Sequence, residues 1–410
     1  MWSHPWTLKE GFLIGAGLLV AGELLQLSSG GIDWSLFAWP VNIILLGMVL
    51  TVSVIIFLLR KKVYACRFLG SYRCAIPALT YAVALTIIMG LTRQVPEGRP
   101  AADPIGLTSM TGYWPFVLIY LWVVIVLGQV ILRRALTFRW RDIPFILNHL
   151  GLFIVLTTAT LGSADMRRVE LTAMKGLPEW RAVDKSGHIQ ELPLAIELHD
   201  FTIDEYPPKL ILTSKDNGTP LPAGKTATLL MDSTFHTGQL GEWSITLDEY
   251  IDEAAPVMSA DTTRFTPWSS SGAASAAHVT VIGPKGKRSG WLTCGSYLFP
   301  YQLLSLDDSV NLVMPQREPR RYVSHVQLLT KSGKNVETSI EVNKPYTIEG
   351  WKIYQLSYDT QKGRWSDVSI FELVRDPWQP YVYIGIYMML GGAVLMFLLP
   401  QTKKRKEGES

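Results

Sequence analysis

The sequence predicts a polytopic α-helical membrane protein of about six transmembrane helices, with a large β-rich extracytoplasmic domain inserted before the last helix. Three observations carry that prediction. Six apolar segments each approach the roughly 20 residues a helix needs to cross a bilayer. A polar stretch between the fifth and sixth, residues 165–379, is long enough for a domain with its own core. Short alternating or β-branched runs punctuate that stretch. Composition agrees, since 48% of the 410 residues are hydrophobic and only 18% are charged. A formal net charge of +3 creates no global field of the kind nucleic acid attracts, so no nucleic-acid partner is expected.

The apolar segments run over residues 10–28, 40–59, 74–92, 114–132, 145–163 and 380–399. The first begins "MWSHPWTLKEGF", which has little positive charge and no small-residue cleavage site after it. It reads as a retained span rather than a cleaved signal. Basic residues set the expected orientation. The loop "RKKVYACRFLGSYR" holds Arg60, Lys61, Lys62, Arg67 and Arg73 with no acid. The loop "RRALTFRWRD" holds Arg133, Arg134, Arg139 and Arg141 against one acid, and the tail begins "KKRK" at Lys403. With six spans all three fall on one face, which is therefore expected to be cytoplasmic, with both termini inside and the large domain outside. Arg167 and Arg168 sit on the wrong side for the rule, and three consistent loops outweigh them.

Within the polar stretch, strands are predicted at "LPLAIELHDFTI", "KLILT", "WSITLDEYI", "HVTVIG", "YVSHVQLLT", "ETSIEV", "WKIYQLSY" and "SDVSIFELV". Turn signals such as "SKDNG" and "KSGKN" separate them. The small, polar run "SADTTRFTPWSSSGAASAAH" reads as a mobile loop.

The chemically unusual feature is His149, about four residues inside the fifth segment. An imidazole in a span is costly unless it faces a partner or a cavity, and its nitrogen is able to bind haem iron. The alternative is an interfacial hydrogen bond to a neighbouring helix. Gly151 leaves room beside it for either a flat partner or a close helix. Gln129 reads as a helix–helix hydrogen bond, and Glu23 as paired or facing a cavity. His4, His188, His199, His236, His278 and His325 lack metal-ligand spacing. Cys66, Cys74 and Cys294 form no C-x-x-C and no disulfide framework. Without a Walker loop, a G-x-S-x-G or a paired-carboxylate motif, hydrolase and ATPase readings have no support.

Four stretches together resemble the ResB/CcsB component of System II cytochrome c biogenesis: "SYRCAIPALTYAVALTIIMGL", "NHLGLFIVLTTATLG", "ELPLAIELHDFTIDEYPPKLILTS", and residues 341–397 with "GWKIYQLSY" and "RDPWQPYVYIG". The resemblance spans roughly residues 70–400. It is weak over about 215–320, and residues 10–59 add two spans to the family's usual four. It divides the chain into extra N-terminal helices (1–69), a membrane core (70–164), an outer domain (165–379), a last helix (380–400) and a basic cytoplasmic tail (401–410).

The resemblance implies a multi-pass protein of the bacterial cytoplasmic membrane that handles haem with a CcsA-type partner and serves apocytochrome c. The chain would be non-catalytic alone and part of a holocytochrome c synthase complex. It implies that b-type haem is shared between the two proteins, with His149 as this chain's axial ligand. Arg139 and Arg141 would then be placed to meet the propionates, although anchoring at the cytoplasmic face is their simpler role. The family's tryptophan-rich haem motif belongs to the partner, and no such run occurs here. Two other readings are a membrane-anchored scaffold without haem and a transporter. The latter is disfavoured because no internal repeat is visible.

Overall fold

The computed structural model of the chain describes residues 4–96, 99–232, 234–259 and 262–398; the basic tail beginning at Lys403 lies outside them. The chain forms two compact units, one of Met1–Arg167 with Arg375–Ser410 and one of Arg168–Val374.

The first unit is helical: α1 Leu8–Ser29, α2 Val41–Leu59, α3 Tyr64–Leu69, α4 Tyr72–Leu91, α5 Trp114–Leu136, α6 Ile143–Gly162 and α7 Gln379–Leu398. Among the described residues, all but α3 are long and apolar enough to cross a membrane. Each agrees with a predicted span to within about four residues at either end, because in lipid every backbone polar group must be satisfied within its own helix. Local signals fix the ends. Thr7 and Glu10 form a reciprocal capping box at α1, and Pro115 and Pro144 sit in the first turns of α5 and α6. The short α3, with Arg67 in its last turn, lies inside the first basic loop and was not foreseen.

Small residues bring these helices together. A side chain at Gly11 would meet Pro77 of α4, and one at Gly22 would meet Pro115 of α5. The α6–α7 seam is built the same way. A Cβ on Gly385 would come within 2.7 Å of the Gly151 carbonyl oxygen, and one on Gly392 within 2.6 Å of the Asn148 nitrogen. Gly151 therefore makes room for a close helix, which settles the choice its sequence left open. Gln129 Nε2 donates to the Ser53 carbonyl of α2 at 2.8 Å, the interhelical bond anticipated for it. Glu23 accepts from the Tyr113 hydroxyl at 2.7 Å. At the far end of α6, the Asp165 carboxylate accepts from the Trp39 backbone at 2.7 Å, from Asn42 Nδ2 at 2.7 Å and from Trp378 Nε1 at 2.7 Å. One acid thus ties α6 to the starts of α2 and α7.

The second unit is built of strands. In chain order they are β1 Arg167–Met174, β2 Pro178–Asp184, β3 Ile189–Glu205, β4 Lys209–Ser214, β5 Pro220–Leu221, β6 Thr228–Leu230, β7 Thr237–Leu240, β8 Trp243–Ser259 and β9 Thr262–Pro267. They continue as β10 Ala274–Gly283, β11 Gly286–Thr293, β12 Leu304–Ser305, β13 Val310–Val313, β14 Pro319–Thr330, β15 Asn335–Glu341, β16 Tyr346–Ile348, β17 Trp351–Tyr358 and β18 Val368–Arg375.

Eight of them form one sheet in the order β15-β14-β3-β2-β1-β18-β17-β16. The β15 edge also comes against β16 and β17, so the sheet curls around a single core in which Leu171, Ile196, Leu328, Trp351 and Phe371 are buried. The other ten make two five-stranded sheets, β11-β10-β8-β7 with β9 on β8, and β12-β13-β4-β5 with β6 on β4. These pack face to face over Leu212, Ile245, Val279, Leu292 and Leu312.

The mobile-loop expectation for "SADTTRFTPWSSSGAASAAH" is overturned for its described residues. Thr262–Pro267 is β9 paired with β8, and Ala273 to Ala277 are buried as β10 begins. Alanine and serine are poor strand markers, but their small size lets that strand lie deep in the core.

Candidate functional site

His149 lies on α6 one turn after Phe145. Its Nδ1 is 2.9 Å from the Phe145 carbonyl oxygen, and its ring stacks on the Phe145 ring with centroids 3.7 Å apart and planes at 22°. A carbonyl only accepts, so Nδ1 carries the hydrogen, and in the neutral ring the lone pair is on Nε2. Nε2 has no hydrogen-bond partner among the described residues. The bond runs within α6 itself, which replaces the neighbouring-helix hydrogen bond that was the alternative role for this residue.

The α7-facing side of α6 carries Pro144, Asn148, Gly151 and Val155. His149 lies about 100° round the helix from Asn148 and beside that seam. It is half-buried.

The cation nearest this stack is one that sequence reasoning counted only as a loop charge. The Arg134 guanidinium, from the last turn of α5, lies 5.1 Å from the Phe145 ring centroid and is paired with Asp142 at 2.9 Å. The signal available was Arg134 preceding an aromatic and a histidine by a short turn, and nothing in it specified a stack. Arg139 and Arg141 are both exposed. Arg139 precedes a short 3-10 turn, Trp140–Asp142, and its carbonyl accepts from the Asp142 backbone at 2.7 Å.

Whether this arrangement suits a haem iron is a question of donor chemistry. A neutral imidazole with one nitrogen tied back to a carbonyl and the other open is the form that ligates a metal. Among the described residues no group of three or more His, Cys, Asp or Glu is placed to hold a metal ion. Two histidines of the strand unit have other partners: His278 Nδ1 meets Asp248 at 2.9 Å, and His325 Nδ1 meets the Ser339 hydroxyl at 2.8 Å.

The strand unit has a polar cleft of about 180 Å³, lined by Glu205, Cys294, Arg317, Tyr358 and Arg364 among others. Arg317 bridges Glu205 at 3.3 Å and Asp252 at 2.6 Å, while Arg364 approaches Glu253 at 3.7 Å. Burial pushes the Glu205 carboxyl above its usual range, although Arg317 and Arg364 oppose the shift. Burial acts the same way on Asp252, but there the Tyr250 hydroxyl and both arginines win and hold it below. The Cys294 thiol is also pushed up by burial, which keeps it a poor nucleophile. The cleft is therefore a satisfied ionic joint.

Residues 301–369, which run from just before β12 into β18, match the model of the ResB-like family. The match includes Arg317, Tyr358 and Arg364 of the cleft and the "GWKIYQLSY" strand, while His149 lies outside it. No curated protein matches the chain. This similarity over residues 301–369 supports, in general terms, a role in cytochrome c biogenesis.

Proposed function

We propose that this ResB-like protein is the haem-handling subunit of a System II cytochrome c synthase complex. In this reading it works with a CcsA-type multi-span partner, and together they deliver haem across the cytoplasmic membrane for covalent attachment to apocytochrome c. The observation that carries the reading is the state of His149. Its Nδ1–H is committed to the Phe145 carbonyl and its Nε2 is open, inside a span of a ResB-like chain. His149 supplies one axial nitrogen to a b-type haem, and the partner supplies the other. Bound haem brings an iron whose potential axial imidazoles tune. This chain's residues orient one ligand and bury part of the flat macrocycle against apolar helix faces. Arg139 and Arg141 anchor the inner face, within reach of propionates should the haem edge approach them.

The accompanying topology has both termini cytoplasmic and the strand unit outside, which follows from the basic loops. A reporter fused near residue 270 reads outside in that case, and an inside signal there overturns it.

The decisive experiment co-expresses the chain with its CcsA-type partner and records the haem spectrum of the purified complex. His149→Ala is expected to lose or weaken the b-type signal, added imidazole to restore part of it, and cytochrome c maturation to fall in parallel. An unchanged spectrum with unchanged maturation removes the ligand assignment and leaves a membrane-anchored scaffold.

A further inference from the structure

We propose that Phe145 and Arg134 are positioning residues that preset the His149 imidazole as an Nε2 donor. This rests on the haem-ligand reading above and adds the device that holds the ligand.

Phe145 acts on His149 at two points. Its ring covers one face of the imidazole at 3.7 Å and 22°, which limits tilt of the ring plane. Its carbonyl accepts the Nδ1 hydrogen at 2.9 Å, which limits ring rotation and selects the tautomer. Both groups come from the preceding turn of the same helix, so the ligand is aimed without help from another chain. Arg134 lies over the same phenyl ring at 5.1 Å, a cation–π distance, and is itself held by Asp142 at 2.9 Å. Asp142, Arg134, Phe145 and His149 thus form a ladder from the turn before α6 to the imidazole, crossing once to the end of α5.

A histidine kept only for packing needs the stack alone. Here the tautomer is also fixed, and the nitrogen that remains is the one without a partner among the described residues. Fixing one nitrogen through a carbonyl so that the other is free is how proteins orient metal-ligating histidines. Here the arrangement needs only one helical turn.

The test uses the full-length complex with the partner and reads the haem spectrum, the midpoint potential and the rate at which haem passes to a soluble apo-globin acceptor. Phe145→Leu keeps the helix and the carbonyl but removes the ring. It is expected to weaken the low-spin spectrum, shift the potential and speed haem loss about 10-fold. Arg134→Gln is expected to do the same to a smaller extent, and Arg134→Lys to recover most of it. Phe145→Trp, which keeps an aromatic face, guards against a trivial folding defect and is expected to resemble the wild type.

Wild-type spectra, potentials and haem loss in both Phe145→Leu and Arg134→Gln, while His149→Gly loses its signal and regains it with imidazole, would overturn the positioning roles and leave the ligand reading intact. A wild-type spectrum in His149→Gly overturns both.

Discussion

Asp165 shows how much one side chain can do in this bundle. It accepts hydrogen bonds from three donors on two other elements, and each donor would be poorly satisfied in lipid. Asp165→Ala leaves Asn42 Nδ2 with only the Leu161 carbonyl at 3.2 Å, and leaves Trp378 Nε1 with nothing recorded in place of the acid. Hydrogen bonds to charged groups contribute about 1.5–3 kcal/mol, so Asp165→Ala is expected to lower the thermal unfolding midpoint of the protein in detergent by several degrees. A midpoint equal to that of the wild type would show the three bonds to be replaceable by water.

His149 is the contrasting case. Its position was legible because an imidazole stands out in an apolar run. Its hydrogen bond and its stack on Phe145 were not, since they depend on rotamers that one-turn spacing leaves open, and the cation above that ring depends on how α5 and α6 pack.

At the scale of elements, the spans were legible because lipid leaves the backbone no alternative to a helix, so hydropathy alone fixes them closely. The strands are a harder problem. β3, β4, β14 and β17 alternate cleanly and were read directly. β1 and β11 were not, since "RRVELTAM" and "GKRSGWLT" carry charges or glycine on the solvent face and few β-branched residues. β1 nonetheless buries every second residue from Val169 onward, a period hidden by its Arg-Arg start. The 274–277 segment failed for a different reason, because depth in a core was achieved with small residues rather than large apolar ones.

The α6–α7 seam belongs to this scale too. Gly385→Val would drive a side chain into the Gly151 carbonyl, 2.7 Å from where even its Cβ must stand. Overpacking of this kind costs roughly 1–3 kcal/mol. Gly385→Val is expected to unfold at lower temperature and, under the proposed haem-ligand role of His149, to weaken haem retention by displacing the adjoining α6 face. Gly391→Val, where a side chain meets open space, serves as the control and is expected to be neutral. Equal behaviour of the two variants would refute the seam.

For the whole molecule, the strand unit carries an acid sensitivity. Glu341, hydrogen-bonded first to Arg321 and then to Lys344, is held at about 2 against an ordinary 4.5. Glu179 is held at about 2 by Arg181. Their folded values are depressed, so the stability they contribute is fully present above about pH 4.5 and is lost as pH falls toward 2. The unfolding midpoint of the full chain is expected to drop across that window, and the drop to be shallower in Glu341→Gln. Identical pH profiles would remove Glu341 from the account.

The register of β1 and β18 has a further consequence, for how the chain assembles in time. Lys175 donates its backbone N–H to Asp367 at 2.9 Å, and Arg168 pairs with Glu372 at 3.5 Å, so the two strands run antiparallel with the first residues of one opposite the last of the other. Helices α6 and α7 are separated by some two hundred residues of sequence, yet they pack more intimately than any sequential pair in their unit. Closing a flexible loop of that length costs more than closing one of about ten residues, by roughly 0.6 kcal/mol per doubling and so about 2.5 kcal/mol in all. Once the strand unit has folded, its two ends stand side by side and the loop is in effect short. The strand unit is in this sense a molecular splint: made after five membrane-length helices and before the sixth, it brings α7 to its mate α6.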